Sequence, residues 1–130
     1  MATLTKEGPV QFHCVIYFDP QIVFSGSTEA QAVLADTGPH AAALAASGRL
    51  AASYPLNLPT TARTVAVRDG QTVVSDGPFL ETKEMVGGLV VIEAADMNEA
   101  IAIAAGIPHA RLGHVEIRPA IDFSQPRPRL

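Results

Sequence analysis

From Val10 to Phe18 the chain reads VQFHCVIYF, rich in β-branched and aromatic residues and apolar at alternate positions. A strand sends successive side chains to opposite faces. Phe12, Cys14, Ile16 and Phe18 therefore share an oily face, while Gln11, His13, Val15, Tyr17 and then Asp19 share a mixed one. Ser25 and Ser27 can supply an N-cap oxygen for a helix beginning at Thr28, and Glu29 sits near its positive end. Gly38-Pro39 interrupts that pattern, so a second helical segment is expected from Pro39 to Ala46, closed by Gly48. His40, Leu44 and Ser47 then fall along one stripe.

Leu50 to Leu56 reads as extended and stops before the Leu58-Pro59 turn, because a residue preceding proline avoids helical angles. Ala62–Arg68 and Gln71–Ser75 form a hairpin about Asp69-Gly70, a pair suited to a type I′ turn. A charged turn, SDGPFLETKE, follows at once. Met85–Glu93 is apolar enough for a buried strand, and its Gly87-Gly88 pair predicts a bulge or a close approach. Asp96 and Glu99 mark a capped helix start, the helix running through Ala105 to a stop at Gly106 and Pro108. His114–Arg118 is the last strand, with Val115 and Ile117 on one face and His114, Glu116 and Arg118 on the other. The segments 1–9 and 124–130 are expected to be loose tails on one domain spanning 1–130.

This order predicts an α+β fold: a ferredoxin-like split βαβ unit with an antiparallel sheet, both helices on one side, and an extra β-hairpin. The first and last strands are neighbours in that topology. His13, Tyr17, His114, Glu116 and Arg118 would then gather on the uncovered face, and two chains pairing those faces would enclose them in a barrel-like cavity.

Composition narrows the partners. Hydrophobic residues make up 48% of the 130 and charged residues only 17%, with mean hydropathy +0.22, so some apolar surface is expected in a homodimer interface. A net charge of −4 offers no footprint for nucleic acid or for an anionic membrane surface. The single cysteine cannot form an internal disulfide, and MATLTKEGPVQ lacks the apolar core of a secretion signal. A cytoplasmic location is expected. No phosphate-cradling glycine motif points to a nucleotide, and His13, His114 and Glu116 lack metal-ligand spacing, so neither cofactor nor metal is expected.

The segment DGPFLETKE, the glycines at 87 and 88, DMNEAIAIAAGIP, and GHVEIRP at 113–119 closely resemble the DGPF group of the YCII-related proteins. The resemblance covers nearly the whole chain and is strongest from Arg63 onward. It implies a small bacterial protein forming a dimeric α/β barrel. In the smaller YCII proteins a histidine ahead of a G-R-L-like helix end is half of a proposed histidine–aspartate pair; PHAAALAASGRL puts His40 in that place. The acid closing the first strand would be Asp19.

The residues themselves leave alternatives open. His40 is a candidate general base, since imidazole titrates near neutrality, or it simply fills a first helical turn. Asp76 either joins that chemistry or accepts backbone hydrogen bonds in a rigid Asp-Gly-Pro turn that Phe79 anchors in apolar surface. Glu81 and Lys83 point the same way in an extended stretch and suit either an ion pair or a ligand. His13 and Tyr17 contact substrate or satisfy each other at a dimer seam. Arg118 binds a carboxylate or pairs across the interface. Cys14, on the helix-packed face, is an inert hydrophobe.

Two classes of function fit. One is a cofactor-independent enzyme doing elimination, isomerisation or hydrolysis on a small polar metabolite, with His40, Asp19 and Asp76 as acid–base groups and His13, Tyr17, Glu81, Lys83 and Arg118 positioning it. The other is a non-catalytic dimeric module binding a metabolite or another protein; DGPF relatives often accompany alternative sigma factors, so the resemblance makes a regulatory accessory role conceivable.

Overall fold

The computed structural model describes residues 10–127, so the expected tail over 1–9 and the last three residues lie outside it. In chain order the elements are β1 (Val10–Phe18), a one-turn helix α1 (Pro20–Val23), α2 (Thr28–Ala46), β2 (Leu50–Pro55), β3 (Arg63–Arg68), β4 (Gln71–Asp76), β5 (Met85–Ala94), α3 (Met97–Ala105) and β6 (Gly113–Pro119). Short 3₁₀ turns occupy Pro59–Thr61 and Pro108–Arg111. The fold is α+β.

Four strands form an antiparallel sheet in the order β2-β5-β1-β6, which makes the first and last strands neighbours as the element order requires. The alternation in β1 decides its orientation: Phe12, Cys14, Ile16 and Phe18 are buried, while Gln11 and His13 are exposed. Ile92 and Ala94 of β5 extend the same buried layer against Ala100 and Ala104 of α3. Sequestering these side chains from water is the main favourable term in such a core.

The caps form where the sequence places them. Ser27 Oγ accepts from Ala30 N at 3.1 Å to open α2, and Asp96 Oδ1 accepts from Glu99 N at 2.8 Å to open α3. Glu99 in turn accepts from Ala95 N at 3.2 Å and pairs with Arg49. Two expectations need correction. The helix from Thr28 is not split at Gly38-Pro39 but runs unbroken to Ala46, with Pro39 inside it. Pro39 has no N–H to give the carbonyl of Ala35, yet Ala35 is exposed and water can serve that carbonyl, so the cost is tolerable. The second correction concerns α1, which the apolar pattern does not predict: Asp19 Oδ1 accepts from Gln21 N at 2.9 Å and Pro20 takes the first helical position.

Asp69 (φ 51°) and Gly70 (φ 74°) form the type I′ turn of the β3–β4 hairpin, whose register runs from Arg63 opposite Asp76 to Arg68 opposite Gln71. The hairpin is a separate two-stranded sheet. At the other end, Asp122 Oδ1 accepts from Ser124 N at 2.9 Å in a local turn.

The expected bulge lies between β1 and β5, where the register passes from Ile16 opposite Gly88 to Tyr17 opposite Val86. Gly87 is the extra residue. A Cβ there would stand 2.0 Å from Cε2 of Phe18, and one on Gly113 would stand 2.1 Å from the Tyr17 carbonyl oxygen. Gly87→Ala should therefore destabilise the fold by about 1–3 kcal/mol through overpacking. Gly38→Ala, with nothing within 4 Å of its added Cβ, should stabilise α2 by about 1 kcal/mol. Urea unfolding reads both, and a G87A midpoint equal to wild type would show that Phe18 is not held against that strand.

Candidate functional site

The end of β1 organises the concave part of the molecule. The Phe18 ring, seated over Gly87, stacks on His109 with ring centroids 4.9 Å apart and planes at 26°. Among the described residues its other ring contact is with Phe24, T-shaped at 5.9 Å and 83°. Phe24 is the C-cap of α1, so the Asp19 carboxylate that caps this turn also sets where Phe24 lies. His109 follows the buried Pro108 in the 3₁₀ turn, whose Arg111 pairs with Asp36 of α2 at 2.9 Å. That ion pair joins the elements that carry His40 and His109.

Between α2 and the sheet these groups wall a cleft of about 410 Å³. His40 enters from α2, with Nε2 only 3.6 Å from the position a Cβ on Gly106 would occupy. His109, Phe18 and Phe24 form another part of the wall, and Leu44 and Ile107 add apolar surface. Thr37 and Ser53 supply hydroxyls. No Asp, Glu, Lys or Arg among the described residues lines it. Burial lowers the His109 pKa from its ordinary 6.5, because the wall solvates imidazolium poorly. The Cys14 thiol, on the helix-facing side of β1, is pushed up to about 11 by desolvation.

The eight residues singled out from the sequence do not converge on this cleft; His40 is the one that lines it. His13 and Tyr17 face the other side of the sheet, where the register sets His13 opposite Arg118, Val15 opposite Glu116 and Tyr17 opposite His114. Arg118 Nε donates to Glu116 Oε2 at 2.6 Å along its own strand, and His114 Nδ1 lies 2.7 Å from Glu84 Oε1. Tyr17 and Glu81 line a second cleft of about 830 Å³, between the 56–62 segment and the loop 77–84. Asp19 is buried as a helix cap, Asp76 is exposed and lies with Nε of Arg63 at 3.1 Å from its Oδ1, and Lys83 is exposed.

Several local expectations about the DGPF turn change. Asp76 does not close it through the backbone; Gly77 N donates to the Ala62 carbonyl and Thr64 Oγ1 donates to the Gly77 carbonyl, each at 2.9 Å. Phe79 does not anchor it either, being 81% exposed. Glu81 and Lys83 form no ion pair among the described residues, because 77–84 is a chain of bends in which strand alternation does not apply. His109 escaped the sequence reading altogether. A signal existed: Pro-His-Ala occurs at 39–41 and again at 108–110, and both histidines line the same cleft.

Among the described residues no group of three or more His, Cys, Asp or Glu could hold a metal ion, and no helix is long and apolar enough to cross a membrane. A family model described as the YCII-related domain matches residues 10–124. An uncharacterized protein of Rhizobium meliloti (strain 1021) is 37% identical over 75 residues, which cover 56% of this chain and 60% of that protein. The alignment thus takes in less than two thirds of that relative's length.

Two outcomes follow from burial. Because His109 is depressed when folded, the unfolded chain binds its proton more readily, so stability present above 6.5 should fall as pH drops below that value. His109→Phe should flatten this part of a plot of melting temperature against pH; an unchanged slope would remove His109 as its source. Cys14 should resist alkylation at pH 8 in the folded protein and react once denatured, since the thiolate is the nucleophile.

Proposed function

This chain belongs to the YCII-related family, and on that premise we propose that it is a cofactor-independent acid–base enzyme whose site is the cleft between α2 and the sheet. The carrying observation is His40, half-buried on a wall that otherwise offers mainly apolar side chains and hydroxyls. An imidazole so placed can take a proton from a bound molecule and return it elsewhere, which suffices for isomerisation or elimination. Asp19 acts as a positioning residue by holding α1 and hence Phe24. Asp76, paired with Arg63 in the hairpin, does not line this cleft, and its acid–base role is secondary to that of His40.

The working form is a homodimer with the ferredoxin-like sheets paired. Apolar side chains without cover support this: Val65 is 62% exposed, Val74 58% and Phe79 81%, all on or beside a two-stranded hairpin. Such a hairpin is marginal in water without packing. In the dimer, His13, Tyr17 and Arg118 sit at the seam, while Glu81 and Lys83 belong to the DGPF loop at its border. A second reading, a non-catalytic metabolite-binding module, is favoured by one observation: no carboxylate among the described residues lines the cleft to orient the His40 ring.

Sedimentation at micromolar concentration should give twice the 13.6 kDa chain mass, and a monomer would overturn the dimer. For catalysis, a screen of small metabolites identifies a turned-over compound, and His40→Gln should lower kcat about 100-fold or more while leaving the melting temperature unchanged. Normal turnover in H40Q removes the mechanism. Binding without turnover by the wild type selects the module.

A further inference from the structure

The wall chemistry of the 410 Å³ cleft restricts what can enter it. Its ionisable side chains are His40, His109 and Tyr54, and no side chain of fixed charge faces it among the described residues. An ion moved from water into such surroundings without a partner loses several kcal/mol of solvation. Asp36 and Arg111, close in the chain to the lining residues Thr37 and His109, pair with each other at 2.9 Å and do not line the cleft. The volume, by contrast, suits a small organic molecule. Phe24, 56% exposed, lies on the wall, and its T-shaped contact with Phe18 holds its ring there.

His109 is held more firmly than a surface histidine. Pro108 beneath it is buried, its ring is stacked on Phe18, and Phe18 is itself fixed by the flat spot at Gly87. The ring plane is thus set before any ligand arrives, and the neutral form, which burial favours, offers one nitrogen as an acceptor.

We propose that His109 is the second ligand-reading imidazole of this cleft, and that the ligand is a planar, mainly apolar molecule entering uncharged with a single weakly acidic O–H or enolisable C–H. The acidic hydrogen is directed at the acceptor nitrogen of His109, the flat body lies along Phe24, and His40 stands on the α2 side of the same molecule. This rests on the reading of the cleft as the functional site and narrows its ligand from a polar metabolite to a weak acid of low polarity.

Equilibrium binding by calorimetry on the full chain tests it without turnover, using para-nitrophenol below the pH at which it ionises, para-nitrobenzoate as a fixed anion, para-nitrobenzylamine as a fixed cation and para-nitrotoluene as a neutral body with no acidic O–H. The phenol should bind at least about tenfold more tightly than either ion. His109→Phe, which keeps an aromatic ring against Phe18, should bring the phenol down to the affinity of the toluene and leave the toluene unchanged. Circular dichroism confirms that the variant folds; should it not, His109→Gln takes its place. Benzoate or benzylamine binding as well as the phenol, a phenol affinity unaltered by H109F, or no phenol binding at millimolar concentration would each overturn the proposal. Because turnover is not read, normal kcat in H40Q would sink the acid–base mechanism while leaving this preference intact, and a lost preference would leave the H40Q test standing.

Discussion

The ring of Phe18 can lie where it does only because the strand beside it carries hydrogen in place of a side chain. Gly87 gives the ring a flat seat, and Gly113 lets β6 approach the backbone of Tyr17 on the other side. Once seated, the ring becomes a surface on which distant parts of the chain meet: α1 through Phe24 and the 3₁₀ turn through His109. Packed interiors tolerate little adjustment. The bulge, the short helix and the imidazole are therefore consequences of one steric permission.

The sheet separates two kinds of chemistry. On the helix side, α2 closes over apolar walls with few polar groups, which raises the stakes for each imidazole there because low polarity magnifies every charge. On the other side, histidine, arginine and glutamate stand in cross-strand register near water, where their ion pairs contribute little to stability. The same residue type thus has different surroundings on the two faces: His13 and His114 are exposed, whereas His40 and His109 are half-buried.

Much of the fold was legible because it is locally encoded. Alternation in 10–18, the serine and aspartate caps, and Asp69-Gly70 each specify their conformation through neighbours in the chain. Helix continuity through Pro39 was not legible, since the tolerance depends on the exposure of Ala35, four residues back, rather than on the proline. The site was harder still. His40 was visible as a residue, but its separation from His13, Tyr17 and Arg118 depends on which side of the sheet α2 covers. His109 lacked any periodic pattern; it becomes meaningful only through Phe18, ninety-one positions earlier in the numbering. Asp19 showed its acid but hid its cap, though the Asp-Pro pair at 19–20 carried that information.

The proline within α2 leaves one rung missing from the helix's ladder, and it falls between Asp36, tied to Arg111, and His40. A helix bends most cheaply at such a gap. The half bearing the tie is moored to the 3₁₀ turn through Arg111, and His40 lies just beyond the missing bond. A bend at that point would change the spacing between His40 and His109, whose ring is stacked on Phe18.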